Sequence, residues 1–137
     1  MDLQHQSCAD RIRLAKTFLN SADRLMKVRP PEYRSAISRY YYSMYHALRA
    51  VVYFHEGGDD KESHSTLPGA VPNDFTNSAI WQNALKDARA RRNEADYDPY
   101  PINPEDWRNV ARDLQSKAPT LLTLAESYLK QKGCNHL

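Results

Sequence analysis

The residues best suited to chemistry in this chain lie in a short arginine-rich segment, Arg91 to Tyr97. Arg92 and Asp96 are four positions apart, so they share one face if the segment is helical. A guanidinium can hold a phosphate through two hydrogen bonds, the amide of Asn93 can add another, and the ring of Tyr97 can stack on a base. The same spacing also suits a simple ion pair at the end of a helix, where positive charge is favoured.

A second set of candidate residues lies earlier in the chain, in a segment with three consecutive tyrosines. At 100° per residue, the side of this predicted helix opposite its apolar stripe collects arginines, tyrosines and a histidine. These residues are Arg39, Tyr42, His46, Arg49 and Tyr53. Arginines that meet phosphates and rings that stack on bases favour a surface for RNA or a nucleotide. Tyrosine and arginine are also enriched at subunit interfaces, so the face suits a contact between two copies as well.

Catalysis at such a site would need a group that exchanges protons near neutral pH, and histidine is the usual choice. The stretch between residues 64 and 136 contains no histidine, so none follows Arg92 on its own helix. Asp96 is a weakened base beside an arginine, and the hydroxyl of Tyr97 is a poor base at neutral pH. His46 is the remaining imidazole, because the tyrosine-rich helix is expected to face the arginine-rich one. The catalytic candidates are therefore Arg92, Asp96, Tyr97 and His46.

Composition limits the classes to which the protein can belong. The chain has 137 residues, and one domain is expected over residues 1–137. The net charge of +2 argues against a strongly basic nucleic-acid binder but allows a local basic patch. Two cysteines without a CxxC motif argue against a metal site, and no motif implies a cofactor. No run of about eighteen apolar residues and no signal-peptide core occurs, so a cytoplasmic protein without membrane contact is expected.

Apolar residues recur at helical spacing in four segments. The segments are residues 7–27, 31–56, 74–95 and 104–133. Asn103 is expected to cap the last helix, whose apolar residues alternate at spacings of four and three, the pattern of a bundle seam. Pro119 lies inside that helix and should kink it or split it in two. We therefore predict an all-α fold, an antiparallel four-helix bundle, with five helices if the last one is split.

Several other residues are assigned to the core or to a loop. Residues 57–73 hold three of the four glycines and are predicted to form a long, mobile loop. His64 lies in this loop without partners at metal-binding spacing. His55 falls on the apolar stripe of the second helix and is expected to be buried. Phe75 and Ile80 are expected to contribute to the apolar side of the third helix.

Two motifs together resemble the HEPN domains, small helical bundles of prokaryotic toxin–antitoxin and defence systems. They are SRYYYSMYHALRA at residues 38–50 and RRNEADY at residues 91–97. The Ala-Asp-Tyr ending is similar to the UPF0332-like branch. Active HEPN ribonucleases carry an Arg, then four to six residues, then a His, whereas here Arg92 and four intervening residues are followed by Tyr97. The resemblance implies a homodimer with a cleft at the subunit boundary, and a small nucleotidyltransferase as partner.

The leading hypothesis is a nucleic-acid- or nucleotide-binding component of a prokaryotic toxin–antitoxin or defence module, with a degenerate ribonuclease site. The expected binding residues are Arg92, Asn93, Tyr97, Arg39, Tyr42 and Arg49. One alternative is an active metal-independent endoribonuclease, in which Arg92 stabilises the phosphorane and Asp96, Tyr97 or His46 replaces the missing histidine. A second alternative is a non-catalytic adaptor that binds other proteins through its helical surface.

Overall fold

Five α-helices and one short 3-10 helix form the computed structural model, which describes residues 3–57, 64–135 and 137. The elements are α1 (Leu3–Lys27), α2 (Tyr33–His55), α3 (Leu67–Ala70), α4 (Ser78–Tyr97), the 3-10 helix (Pro104–Trp107) and α5 (Arg108–Gln131). These residues include no β-strand, and the predicted all-α fold is confirmed. The long helices α1, α2, α4 and α5 are the four that the sequence predicts. None of the described helices is long and apolar enough to cross a membrane.

Side-chain contacts show that α1 and α2 run antiparallel. Near the start of α1, the side-chain amide of Gln4 donates a 2.9 Å hydrogen bond to the carbonyl of Phe54, at the end of α2. Further along α1, the carbonyl of Ala15 accepts a 2.8 Å hydrogen bond from Ser43, in the middle of α2. Partners therefore move backward along α2 as the chain advances along α1, as expected for helices joined by a short connection.

α2 is the central helix of the bundle and packs against α1, α4 and α5. The side chains that it buries completely include Ile37, Tyr40, Tyr41, Met44, Leu48 and Val51. Full burial of one large apolar side chain contributes about 1.5–3 kcal/mol, so this helix anchors the core. The prediction that His55 is buried is wrong, because this side chain is exposed. His55 is the last residue of α2, where the side chain reaches solvent rather than a neighbouring helix.

The predicted seam of the last helix is buried against the rest of the bundle. Its buried residues include Trp107, Ala111, Leu114, Ala118, Leu121, Ala125 and Tyr128. The side-chain oxygen of Asn103 accepts a 3.1 Å hydrogen bond from the backbone N–H of Glu105, so the predicted cap is present. The first turn, Pro104–Trp107, is a 3-10 helix rather than part of the α-helix.

Pro119 does not split α5, which continues without interruption from Arg108 to Gln131. The alternative in which a break at this proline produces the fifth helix is therefore wrong, and the fifth helix is the one-turn α3. Pro119 is exposed and removes only one backbone hydrogen bond, which packing of the apolar face can offset.

The connection from α2 to α4 is anchored in the core over much of its described length. Leu67, Val71 and Phe75 are buried, whereas the sequence predicts a loop with little apolar anchoring over residues 57–73. Residues 58–63 of that predicted loop lie outside the described residues. α4 begins at Ser78, later than predicted.

The apolar side of α4 also differs from the prediction. Ile80 is 63% exposed, while the neighbouring Trp81 is buried in its place. Trp81 lies on the same side of the helix as the buried Leu85, whereas Ile80 lies about 140° around the helix from Leu85. Phe75 packs in the turn that precedes α4, so it does not continue the apolar stripe of that helix.

Candidate functional site

Arg92 of α4 lies over two tyrosine rings of α2. Its guanidinium carbon is 5.4 Å from the ring centre of Tyr41 and 5.5 Å from that of Tyr42, close enough for a cation–π attraction. One carboxylate oxygen of Asp96 is 3.6 Å from Arg92 Nη1, and Ser38 donates a 3.4 Å hydrogen bond to that same oxygen. The contact between Arg92 and Asp96 is longer than a charge-assisted hydrogen bond. The two rings therefore hold Arg92 in place, whereas its ion pair with Asp96 is weak.

His64 reaches the same tyrosines from the connection that follows α2. Its Nδ1 atom shares a 2.5 Å hydrogen bond with the hydroxyl of Tyr41. Its ring stacks on that of Tyr45, with centres 4.1 Å apart and planes at 17°. It also meets the ring of Tyr42 edge-on, with 6.1 Å between centres. Arg92 and His64 thus contact the same two rings. Helix α4 has no histidine of its own, but the imidazole of His64 lies near its Arg92.

A second arginine of α4 adds positive charge to this group. Arg89 lies one turn before Arg92, and its charge acts on both Tyr41 and His64. Within the described part of the chain, no carboxylate forms an ion pair with Arg89. The Nε atoms of Arg89 and Arg92 are both buried and lack hydrogen-bond partners there. We name this group the arginine–tyrosine cluster. Its members are Tyr41, Tyr42, His64, Arg89 and Arg92.

Burial and the nearby arginines keep both partly buried imidazoles neutral. Burial, followed by the charge of Arg49, lowers the pKa of His46 from the ordinary value of 6.5 to about 4. Burial, followed by the charge of Arg92, also lowers the pKa of His64. Burial raises the pKa of the Tyr41 phenol, so its hydroxyl stays protonated at neutral pH. The cluster therefore presents cationic arginines, a neutral imidazole and the neutral hydroxyl of Tyr41.

The predicted face of α2, opposite its core, is partly covered by α1 of the same chain. Phe18 stacks on His46 with ring centres 5.4 Å apart, and it contacts Tyr42 at 5.5 Å. The guanidinium of Arg39 lies 5.7 Å from the centre of the Phe18 ring. The ring of Tyr53 lies under Arg11 of α1, with 4.4 Å between the guanidinium carbon and the ring centre. Helix α1 of the same chain thus buries part of this aromatic face of α2.

Two candidate binding residues of α4 point away from Arg92. Tyr97 is 74% exposed and follows Arg92 by five positions, which places it about 140° around the helix. Asn93 is partly buried and lies about 100° from Arg92. Asp96, by contrast, shares the face of Arg92. The structure brings Arg92, Asp96 and Tyr42 together and leaves Tyr97 on a different side of the helix.

Candidate residues line one cleft of the molecule and do not line a second, larger one. A cleft of about 290 Å³ lies between α1 and α2, and Leu14, His46 and Arg49 line part of it. A larger cleft of about 450 Å³ lies between Val28 and Pro104, away from every candidate residue. The smaller cleft is the one beside the candidate residues His46 and Arg49. The described residues contain no group of three or more His, Cys, Asp or Glu side chains placed to hold a metal ion.

The residues of this region that are absent from the sequence-based candidates include Arg89, Phe18 and His64. Arg89 precedes Arg92 by three positions, so helical spacing alone places both on one face. Phe18 could have been noted as a large aromatic residue off the apolar stripe of the first helix. His64 has no comparable pattern, because its position depends on the path of the connection between helices. That path is set by tertiary packing.

A comparison with protein-family models matches the HEPN domain over residues 8–128 of the chain. No curated protein and no solved structure matches it. The matched range includes most of α1, all of α2 to α4 and most of α5, together with the arginine–tyrosine cluster. The chain therefore belongs to the HEPN domain family, and this membership indicates a function related to nucleotides or RNA.

Proposed function

We propose that this HEPN domain binds single-stranded RNA or a nucleotide at the arginine–tyrosine cluster. The observation that carries the proposal is the position of Arg92 over Tyr41 and Tyr42, with Asp96 no closer than 3.6 Å. A guanidinium that is already oriented loses little conformational freedom on binding, and its fork matches the oxygens of a phosphate. Asp96 holds Arg92 in place without saturating its hydrogen-bond donors.

The balance of charge in the cluster favours an anionic ligand. Arg89 makes no ion pair within the described residues, and Arg92 has a single distant carboxylate partner. The two side chains are three positions apart on α4, so they can contact neighbouring phosphates of one strand. Arg39 and Arg49 continue the positive charge along α2. A net charge of +2 is therefore compatible with a locally basic surface.

The aromatic residues beside the arginines favour ribonucleotide bases as the second part of the ligand. Tyr42 lies among Phe18, His64 and Arg92 and is only partly buried. Stacking of a base on an aromatic side chain contributes about 1–3 kcal/mol. Bases are open to such stacking in single strands and loops rather than in a duplex, which makes single-stranded RNA the preferred ligand.

We also propose that the protein acts as a homodimer and is paired with a small nucleotidyltransferase in a prokaryotic toxin–antitoxin or defence module. HEPN domains often dimerise. The aromatic surface shared by α1 and α2 has the composition of a subunit interface. The nucleotidyltransferase and the module follow from the resemblance of residues 38–50 and 91–97 to HEPN sequences. A nucleotidyltransferase gene beside the gene for this chain would support the pairing, and its absence would favour the adaptor role.

Fluorescence anisotropy with a labelled single-stranded RNA pool of random sequence tests the proposal. Titrations at several salt concentrations should give an affinity that falls as salt rises. The logarithmic slope for single strands is about −0.7 per phosphate contacted, so two arginine contacts predict at least about −1.4. A protein that binds neither this RNA pool nor adenosine and guanosine nucleotides at low salt would contradict the proposal and favour a protein-binding adaptor.

A further inference from the structure

We propose that His64 is a catalytic residue, whose imidazole activates a ribose 2′-hydroxyl for attack on the adjacent phosphate. The inference rests on the proposed function, because it places an RNA strand on the arginine–tyrosine cluster. Helix α4 has no histidine after Arg92. The connection between α2 and α4 supplies one to the same two tyrosine rings.

The hydrogen bond to Tyr41 orients the imidazole of His64. The bond uses Nδ1, and His64 makes no other hydrogen bond to the described part of the chain. Within these residues, Nε2 therefore has no hydrogen-bond partner. When Nδ1 carries the proton and donates it to the Tyr41 oxygen, the lone pair of Nε2 is free to accept one. The same bond stabilises the imidazolium that forms when Nε2 takes up a proton.

The surroundings of His64 also fix its ring and place it near positive charge. The stack on Tyr45, at 4.1 Å, holds one face of the ring. The guanidinium of Arg92 contacts Tyr41 and Tyr42, the rings that His64 also touches. Arg92 and His64 contact the same two rings and are close enough for the charge of Arg92 to act on His64, so in this proposal a phosphate held by Arg92 brings its ribose to Nε2.

The reaction is a transesterification that needs no co-reactant. Nε2 of His64 accepts the proton of the 2′-hydroxyl, and the 2′-oxygen forms a bond to phosphorus. The bond between phosphorus and O5′ breaks, and its electron pair leaves with O5′, which takes a proton from water. The imidazolium returns its proton to the hydroxide left by that water. Arg92 and Arg89 offset the negative charge that develops on the phosphorane.

The electrostatic environment suits a base at neutral pH. Among the described residues, the groups that face His64 are Tyr41, Tyr42, Tyr45, His46 and Arg49 of α2, and Arg89 and Arg92 of α4. Burial, and after it the charges of the arginines, lower the pKa of His64, so the ring is unprotonated at pH 7 and can accept a proton. Cleavage should therefore lose rate only at pH values below the ordinary range of imidazole.

A His64→Asn variant separates catalysis from structure. Asparagine places a polar atom near the position of Nδ1, so it can keep the hydrogen bond to Tyr41, but it has no equivalent of Nε2. We expect wild-type protein to cleave the single-stranded RNA pool to 2′,3′-cyclic phosphate and 5′-hydroxyl ends. His64→Asn should cleave at least about 100-fold more slowly, the usual contribution of a general base, and bind the RNA within about threefold of wild type. His55→Asn, which changes an exposed histidine, is the matched control and should cleave like wild type.

Binding and cleavage measured on the same samples distinguish the failure of this inference from failure of the proposed function. Wild-type protein that binds the RNA without cleaving it would overturn the role of His64 and leave RNA binding in place. Cleavage by His64→Asn at the wild-type rate would overturn it as well, and so would equal cleavage of a strand with 2′-deoxyribose at the cut site. Absence of RNA binding by the wild type would reject the proposed function itself, and with it the catalytic role.

Discussion

His64 and Tyr41 share a hydrogen bond although 23 positions separate them in the chain. The bond joins the connection after α2 to the middle of α2 itself, at the point where Arg92 of α4 lies over the tyrosine rings. Three parts of the chain that are distant in sequence therefore form one cluster. The position of His64 then depends on how firmly the following residues, Leu67 to Phe75, are packed.

Packing of this connection can be tested by truncating its buried leucine. Leu67 is fully buried, so Leu67→Ala should lower the free energy of unfolding by about 2–5 kcal/mol in urea titrations. The control is Ile80→Ala, which shortens a side chain that is 63% exposed and should change stability by less than about 0.5 kcal/mol. Equal stability of the two variants would show that the connection is not part of the core.

His46 should make the protein less stable as the pH falls from about 6.5 toward 4. Its pKa in the folded chain is about 4, so below 6.5 the unfolded chain binds a proton that the folded chain does not. This loss is absent above pH 6.5 and is complete below pH 4. His46→Phe, which keeps a ring against Phe18, should melt with less dependence on pH between 7 and 5. The exposed His55→Asn variant should keep the wild-type dependence, and identical profiles for all three proteins would contradict the prediction.

The helices could be predicted from sequence because their signals are local. Apolar spacing identified the buried seam of α5, and the amide of Asn103 identified the capped start of the 3-10 helix that leads into it. The same reasoning was wrong for His55, since periodicity does not show where the neighbouring helices stop covering α2. It also could not place His64, because a connection has no periodicity and its path depends on which apolar side chains the bundle can accept.

The proposed dimer can be tested at an exposed residue of the α1–α2 surface. Leu14 is 40% exposed and lines the cleft beside His46 and Arg49. We expect wild-type protein to be dimeric by light scattering and Leu14→Glu to shift it to monomer, because a carboxylate is costly in an apolar interface. Ile80→Glu introduces the same charge at an exposed residue of α4 and should leave the dimer intact. A monomeric wild type would reject the dimer, and a dimeric Leu14→Glu would place the interface elsewhere.

The central claim is that Arg92 is the main anchor for RNA or a nucleotide, and its neighbour provides a matched control. Arg91 carries the same charge but pairs with Asp87 at 3.6 Å and with Glu94 at 3.0 Å on another side of α4. Anisotropy titrations with the single-stranded RNA pool at fixed low salt should compare Arg92→Ala with Arg91→Ala. Charged hydrogen bonds contribute about 1.5–3 kcal/mol, so Arg92→Ala should weaken binding roughly ten- to a hundredfold, and Arg91→Ala by less than about threefold. Equal affinities of the two variants would contradict the claim and leave the contact between Arg92 and Asp96 as a structural ion pair.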